Sequence, residues 1–397
     1  MLGYLRPDGR KGIRNVVAVA YLVECARHVA HEIAAEFRGQ PVHVIGFPGC
    51  YPNPYSHRMM RQLCTHPNVG AVLLVSLGCE GFDRRGLRAA IEASGRPVEL
   101  VGIQATGGTR STIRQGVAWV REALGNLADT PRAKMDFSDL IVGTICGGSD
   151  ATSGLTANPA MGLAFDRLVA AGGRAIFEET GELIGLTSFM ADRAATPALA
   201  DEIGACMRKT ERYYDTLGHG SFAAGNADGG LSTIEEKSLG AYAKSGGSPI
   251  VGLLKPGDVP PRGGLYLLDV IPDGEVRFGF PNINDNAEIA ELIACGCQMI
   301  LFSTGRGSVV GSAISPVIKV CANPQTYRRM AEDMDVDAGR VLEGRASLEE
   351  VGAEIFALIE QVADGLPTRS EELRHQEFIL TYKSFTPIGP SCLPAFA

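Results

Sequence analysis

The sequence predicts an α/β protein with two or more Rossmann-like units, each built on a parallel sheet, and a ligand site at the carboxyl ends of the strands. Short, almost wholly apolar segments rich in β-branched residues recur along the chain, as expected of strands that are buried on both faces. Helix-like stretches separate these segments, and such alternation is typical of parallel sheets. Glycine supplies 49 of the 397 residues, well above the usual share of ~7%. This excess indicates many tight turns around ligands.

The individual elements follow from these patterns. Strands are predicted over residues 16–23, 42–47, 71–77, 98–103, 140–145, 174–179, 249–254, 264–270, 298–302 and 315–320. Helices are predicted over residues 26–37, 55–64, 84–93, 111–124, 158–171, 197–217 and 348–363. A charged, proline-containing linker over 128–139 divides the chain into a first α/β domain, 1–135, and a second, 136–397. Segment 218–232 is too rich in glycine for regular structure and is predicted to be a binding loop.

Composition excludes several classes of function. Lysine and arginine number 37 against 45 aspartates and glutamates, and the formal charge is -8. Since no dense basic run is present, a nucleic-acid surface is not expected. No apolar run reaches the ~18 residues that would cross a bilayer, and the N-terminus lacks a signal-peptide core. We therefore expect no membrane span and a cytoplasmic location.

Three cysteines stand where predicted buried strands end, at Cys50, Cys79 and Cys146. Ligands of open parallel sheets bind beyond the carboxyl ends of the strands, so these thiols are predicted to converge on one crevice. Thiolates favour zinc, copper(I) and iron. The predicted cofactor is iron, as Fe2+ or as an iron–sulfur cluster with an open position. The alternative is that these cysteines only pack, as is predicted for Cys25, Cys64, Cys206, Cys295, Cys297, Cys321 and Cys392.

A glycine-rich turn follows the strand that ends at Cys146. Such a turn exposes backbone N–H groups at a helix N-terminus, which suits a carboxylate, a sulfonate or a phosphate. The predicted anion-binding residues are Gly147, Gly148, Ser149 and Asp150. The alternative is that they only shape and cap the turn.

A second glycine-rich segment, ILFSTGRGSVVG, reads as strand, turn and helix and superficially offers the pattern of a dinucleotide site. The strand after it carries no acidic residue for a ribose, which weakens the hypothesis of a nucleotide-binding oxidoreductase. Arg306 and Lys319 are instead predicted to bind a second small anion.

Three residues are candidate proton acceptors: Glu179, Lys237 and His219. Glu178, Glu179 and Glu182 lie where a predicted strand ends, and the alternative for Glu182 is a solvated acid that caps a helix. Lys237 is a base only if burial lowers its pKa. His219 lies between two glycines, where an imidazole is accessible. Glu178 and Glu179 form a rival arrangement, in which two carboxylates bind Mn2+ or Mg2+.

The sequence also resembles the altronate and galactarate dehydratase family. The resemblance rests on GYLRPDGRKGIRN, CGGSDATSGLTANPA, EEKSLGAYAKSG, STGRGS and MDVDAG, and it covers nearly the whole chain. It implies a lyase that removes a proton beside a carboxylate and expels a β-substituent, with divalent iron or manganese in the sugar-acid enzymes. FPGCYPNPY, LGHGSFAAGNADGG and HQEFILTYKSF are similar to the branch that splits (2R)-3-sulfolactate into pyruvate and sulfite.

The resemblance also implies partners. Fused members of the family carry a small β-rich domain of the SAF type before this region, whereas this chain starts directly at the shared motif. We therefore expect a separate small SAF-domain subunit, a homo-oligomer of the large chain and a small anionic hydroxy-acid substrate. The alternatives are a sugar-acid dehydratase and an inactive scaffold subunit.

Overall fold

Two parallel sheets and a small antiparallel sheet contain the strands of the described chain. The computed structural model describes residues 1–218, 221–276 and 284–385. The parallel sheets have four and seven strands, and the antiparallel one has three. The α/β fold class with parallel sheets is thus confirmed.

The first sheet and its helices occupy the N-terminal third of the chain. The strands are β1 (Leu2–Leu5), β2 (Lys11–Gly12), β3 (Val16–Tyr21), β4 (Val42–Gly46), β5 (Val69–Ser76), β6 (Val98–Gly102) and β7 (Arg132–Lys134). The helices are α1 (Glu24–Ala35), α2 (Pro54–Cys64), α3 (Arg84–Ala93) and α4 (Thr109–Leu127). The parallel sheet has the order β4-β3-β5-β6, and β1 pairs antiparallel with β2 and β7.

The seven-stranded sheet occupies the rest of the chain. Its strands are β8 (Ile141–Cys146), β9 (Arg174–Phe177), β10 (Ile250–Leu254), β11 (Gly264–Leu268), β12 (Met299–Thr304), β13 (Val317–Cys321) and β14 (Val336–Asp337). The helices are α5 (Ala157–Ala170), α6 (Thr187–Asp192), α7 (Pro197–Leu217), α8 (Ala224–Asp228), α9 (Ile234–Ala243), α10 (Asp285–Ala294), α11 (Pro324–Arg329), α12 (Leu348–Ala363) and α13 (Arg369–Glu372). None of the helices in the described residues is long and apolar enough to cross a membrane.

The strand order of the large sheet places a crevice beside β8. The order is β10-β11-β9-β8-β12-β13-β14, so the chain continues from β8 to β9 on one side and returns at β12 on the other. Ligands of open α/β sheets bind at such a reversal, beyond the carboxyl ends of the strands. The residues that follow β8, β9 and β12 therefore surround the most favourable position for a site.

One apolar core joins the two halves of the chain. It contains Ile45 and Leu74 from the first sheet and Ile145 and Phe302 from the second, all fully buried. Burying each such side chain contributes about 1.5–3 kcal/mol relative to leaving it exposed. The two sheets thus share a core, while each keeps its own carboxyl edge.

Two predictions of local structure are wrong. The glycine-rich segment 218–232 contains a short helix, α8, capped by hydrogen bonds between Ala223 and Asn226. The predicted helix after β12 is not formed, and residues 305–316 have no regular secondary structure. The strand-turn-helix geometry of a dinucleotide site is therefore absent there.

Candidate active site

A cavity of about 960 Å³ lies at the carboxyl ends of β8, β9 and β12. Predicted site residues that line it are Cys146, Gly147, Gly148, Ser149, Glu179, Lys237 and Arg306. Asp150 instead lines a smaller neighbouring cavity of about 230 Å³. The structure thus brings together residues that lie far apart in the sequence.

Cys146, Glu179 and Glu182 form a buried group at one wall of this cavity. Their ligand atoms all lie within 4.8 Å of one another. The backbone N–H of Cys146 donates to Glu179 Oε2 at 2.9 Å, and its thiol donates to Glu182 Oε2 at 2.8 Å. Glu179 has φ +75°, a left-handed conformation that is uncommon outside glycine and often marks functional sites. The group combines a thiol with two carboxylates, a donor set that suits a divalent transition metal.

Two lysines neutralise this group in the structure. Lys244 forms an ion pair with Glu179, and its Nζ lies 3.1 Å from Cys146 Sγ. Lys237 Nζ lies 2.5 Å from Glu182 Oε1 and donates to the Ser221 carbonyl at 2.6 Å. A metal ion would therefore compete with Lys244 for the same donors.

The electrostatics of the group correct one predicted role. Burial lowers the pKa of Lys237, but the Glu182 carboxylate and Cys146 outweigh this effect and the net pKa is raised. An ammonium with a raised pKa is a poor proton acceptor, so Lys237 is better suited to hold an anion than to act as the base. Burial, followed by Glu182, raises the pKa of the Cys146 thiol to about 12.

Lys244→Met tests the electrostatic role of Lys244. In metal-free protein we expect the free energy of unfolding to fall by about 3–5 kcal/mol, because the substitution leaves the Glu179 carboxylate buried without its cation. Lys244 and Glu179 are only 1% and 4% exposed. Urea denaturation measures the change. As a control, Arg88→Met removes one partner of the exposed Arg88–Glu92 pair and should change stability by about 1 kcal/mol or less. Equal effects of the two substitutions would contradict this role for Lys244.

The glycine-rich turn after Cys146 offers free backbone donors. Gly148 has φ +62°, and its carbonyl accepts the N–H groups of Gly305 and Arg306 at 3.2 and 2.9 Å. Within the described residues, the N–H groups of Gly148 and Ser149 have no hydrogen-bond partner. Two free N–H groups beside a cavity suit an anion. Arg306, 43% exposed, stands on the same cavity and donates to the Gly225 carbonyl at 2.6 Å.

Asp150 shapes this turn. Its carboxylate accepts hydrogen bonds from Thr152 N at 2.9 Å and Asn323 Nδ2 at 3.0 Å. These contacts support the turn-shaping alternative for Asp150, and its predicted role in binding substrate stays a prediction.

Two acids that were not among the predicted site residues also line the cavity: Asp285 and Glu288, in the first turn of α10. Burial, helped by Glu182, raises the pKa of Asp285 to about 6. Burial raises the pKa of Glu288 to about 8, with Lys383 lowering it and Glu291 raising it. An available signal was the presence of Glu288 and Glu291 in a segment, 287–294, whose other residues are apolar and buried.

Buried charges behind the cavity connect α10 to the C-terminal segment. Lys383 Nζ donates to Glu291 Oε2 at 2.6 Å, and Tyr55 donates to Glu291 Oε1 at 2.7 Å. Glu178, fully buried, has no hydrogen-bond partner among the described residues, and burial and Glu288 raise its pKa well above the ordinary value.

Several predicted site residues lie elsewhere. Cys50 and Cys79 are exposed and follow strands of the first sheet, so they do not converge with Cys146 on one metal ion. The physical reason is that each sheet has its own carboxyl edge. Lys319 lies in the middle of β13, fully buried, and does not line the cavity with Arg306. His219 lies outside the described residues.

Comparison with known proteins identifies the family. The family model "D-galactarate/Altronate dehydratase, C-terminal" matches residues 137–386, and "D-galactarate dehydratase/Altronate hydrolase, second domain" matches residues 3–128. The chain belongs to the D-galactarate/altronate dehydratase family. Members of this family are lyases, and the chain is accordingly a lyase.

Similar curated proteins come from two branches of the galactarate/altronate dehydratase family. The (2R)-sulfolactate sulfo-lyase subunit beta of Chromohalobacter salexigens is 34% identical over 96% of this chain and 96% of its own length. The altronate dehydratases of Bacillus subtilis and Escherichia coli are 30% and 28% identical, each over 95% of this chain and 76% of their own length. The comparisons thus leave two substrate classes.

Proposed function

We propose that this family member catalyses β-elimination from (2R)-3-sulfolactate, giving pyruvate and sulfite. The observation that carries the proposal is a cavity lined by Arg306, by the acids Asp285 and Glu288 and by two backbone N–H groups that have no partner among the described residues. Sulfolactate carries a carboxylate and a sulfonate around the carbon that loses its proton. An anion-binding turn opposite a cationic guanidinium suits such a dianion. The sulfo-lyase subunit, 34% identical over 96% of this chain, supports sulfolactate as the substrate.

Asp285 and Glu288 divide the proton transfers between them. The ionised Asp285 takes the C2 proton, the C2–H electron pair forms the C2–C3 double bond, and sulfite leaves with the electrons of the C3–S bond. Glu288, protonated at neutral pH, then donates a proton to C3 of the enol, while water takes the hydroxyl proton. Two acids whose surroundings separate their pKa values suit the roles of base and acid. Glu179 remains the rival base.

The turn and Lys237 position the substrate during these steps. The N–H groups of Gly148 and Ser149 hold the carboxylate, which fixes C2 beside Asp285. The absence of a side chain at Gly147 lets the Asp285 carboxylate lie against the turn, because a Cβ at Gly147 would stand 2.1 Å from Asp285 Oδ2. Arg306 and the Lys237 ammonium face the second anionic group.

Iron is the proposed cofactor, with manganese or magnesium as the alternative. Cys146, Glu179 and Glu182 would hold the ion, which would act as a Lewis acid on the substrate hydroxyl and carboxylate. The thiol in the donor set favours iron over the harder magnesium. Metal analysis of the parent protein and of Glu182→Gln, both purified anaerobically, tests this assignment. An unchanged iron content in that variant would contradict it.

Activity is expected to follow a bell-shaped pH profile. The rate constant kcat/KM should rise as pH increases through about 6, because Asp285 must lose its proton. It should fall above about 8, because Glu288 must keep its proton. Initial rates across pH 5–9 measure both limbs, and Glu288→Gln should lower activity and remove the alkaline limb. A profile that is flat between about 5 and 9 would exclude this pair.

The substrate is tested by assaying two acids in parallel. The chain should be co-expressed with a small SAF-domain subunit, since the sulfo-lyase relative is itself named as a subunit. Sulfolactate should release sulfite and pyruvate, and altronate or galactarate should yield no 2-keto-3-deoxy acid. A sugar-acid dehydratase is the second candidate, because a cavity of about 960 Å³ leaves room for a six-carbon acid. Turnover of the sugar acid alone would overturn the sulfolactate proposal, and turnover of neither would favour a scaffold subunit.

A further inference from the structure

Three exposed cysteines lie at the carboxyl edge of the four-stranded sheet, outside the cavity described above. Of the cysteines in the described residues, Cys25, Cys50 and Cys79 are exposed, and the others are buried. Cys25 follows β3, Cys50 follows β4 and Cys79 follows β5. Because β3 lies between β4 and β5 in a parallel sheet, all three thiols belong to one edge. The prediction that Cys25 only packs is therefore wrong.

Backbone hydrogen bonds hold the three loops against one another. The N–H of Glu24, beside Cys25, donates to the Pro48 carbonyl at 3.0 Å. The N–H of Gly81 donates to the Cys50 carbonyl at 2.9 Å, which ties the loop that follows β5 to the loop that follows β4. Each cysteine is thus within two residues of a backbone hydrogen bond that joins its segment to a neighbouring segment of the same sheet edge.

The surroundings of these thiols favour an anionic ligand set. Helices α1, α2 and α3 begin at this edge, at Glu24, Pro54 and Arg84. Helix N-termini stabilise negative charge, and thiolate ligands are negative. Phe47 packs against the rings of Phe82 and Tyr382 and forms an apolar wall at the same loops. Free cysteines are usually among the most buried residues, so three exposed thiols at one edge call for a functional explanation.

The separation of the thiols argues against a single zinc ion. A tetrahedral zinc site with Zn–S bonds of about 2.3 Å requires its thiolates to lie within about 4 Å of one another. The three sulfur atoms do not all lie within 4.8 Å of one another. In an iron–sulfur cluster the thiolates bind different iron atoms and stand farther apart.

We propose that Cys25, Cys50 and Cys79 bind an iron–sulfur cluster through three thiolates, which leaves one iron without a cysteine ligand. This site differs from the predicted group of Cys50, Cys79 and Cys146 by the exchange of Cys146 for Cys25. It is separate from the Cys146, Glu179 and Glu182 group and does not rest on the proposed function, because its test measures bound iron and sulfide.

The test is anaerobic reconstitution of the full chain with ferrous iron and sulfide. We expect the protein to gain visible charge-transfer absorption, with iron and acid-labile sulfide in equal amounts. Cys25→Ser, Cys50→Ser and Cys79→Ser should each lose most of the absorption, and the triple variant all of it. Cys206→Ser, at a buried cysteine of α7, is the control and should keep it. An equal sulfide content in the triple variant, or binding of one zinc ion in place of a cluster, would overturn the proposal.

A second measurement separates loss of the cluster from loss of the fold. In metal-free protein, iodoacetamide should label Cys25, Cys50 and Cys79, because these thiols are exposed. After reconstitution the same three thiols should be protected, and digestion followed by mass spectrometry locates the label. The melting temperature of the triple variant should equal that of the metal-free parent, since exposed thiols contribute little to packing. Labelling that is unchanged by reconstitution would overturn the proposal.

Discussion

Asp285→Asn is expected to lower kcat/KM by about 10²–10⁴, the usual contribution of a general base. Asp285 lines the cavity and has a pKa raised to about 6, so it is ionised at neutral pH and still basic enough to accept a proton. The asparagine amide has nearly the same shape and accepts no proton. The acidic limb of the pH profile should disappear together with the activity.

The controls for this variant concern the fold and the rival base. Asp285 opens α10, so losing its charge should cost only about 0.3–1 kcal/mol of stability. Asp201→Asn, at an exposed residue of α7, makes the same chemical change outside the cavity and should retain full activity. If Asp285→Asn kept its activity, Asp285 would not be the base, and Glu179 would be the remaining candidate.

Gly147→Ala is expected to lower kcat/KM by about 10² or more, since displacing a catalytic group by about 1 Å has an effect of this size. A Cβ at Gly147 would lie 2.1 Å from Asp285 Oδ2 and 2.5 Å from Phe302 Cζ. Phe302 is fully buried in the shared core, so the added methyl group must displace the Asp285 carboxylate or strain the end of β8.

A matched glycine tests whether this loss is specific. Gly125→Ala lies on α4, where a Cβ would meet no atom within 4 Å. It should leave kcat/KM unchanged and raise stability by up to about 1 kcal/mol, because alanine favours helix. Steady-state kinetics measures kcat/KM of both variants, and urea denaturation measures their stability. Full activity in Gly147→Ala would show that the position of Asp285 is unimportant.

The sequence was sufficient to predict most individual elements. The predicted helices 84–93, 197–217 and 348–363 have the bounds of α3, α7 and α12. These stretches carry strong helical periodicity or clear caps, such as the Ser347 capping box that starts α12. The helix predicted after β12 does not form. The glycine pattern there resembles a dinucleotide-binding motif, but the geometry of such a motif depends on tertiary contacts.

The candidate site was predictable only in part, because neighbouring residues in space come from separate strands. The end of β8 was found, since a strand followed by a glycine-rich turn is a local signal. Local patterns do not tell which strand ends share a sheet, so Cys50 and Cys79 were grouped with Cys146 when they belong with Cys25. Asp285 was missed because no local feature links the start of α10 to the turn at Gly147.

The position of Lys383 has a consequence for synthesis of the chain. Its ammonium is fully buried against Glu291, and Leu380 and Phe385 enter the core that both halves share. Domains made on ribosomes usually begin to fold from the N-terminus. Here α10 gains its neutralising cation only after a further 92 residues beyond Glu291 have been synthesised, so a nascent chain completes this wall of the cavity late.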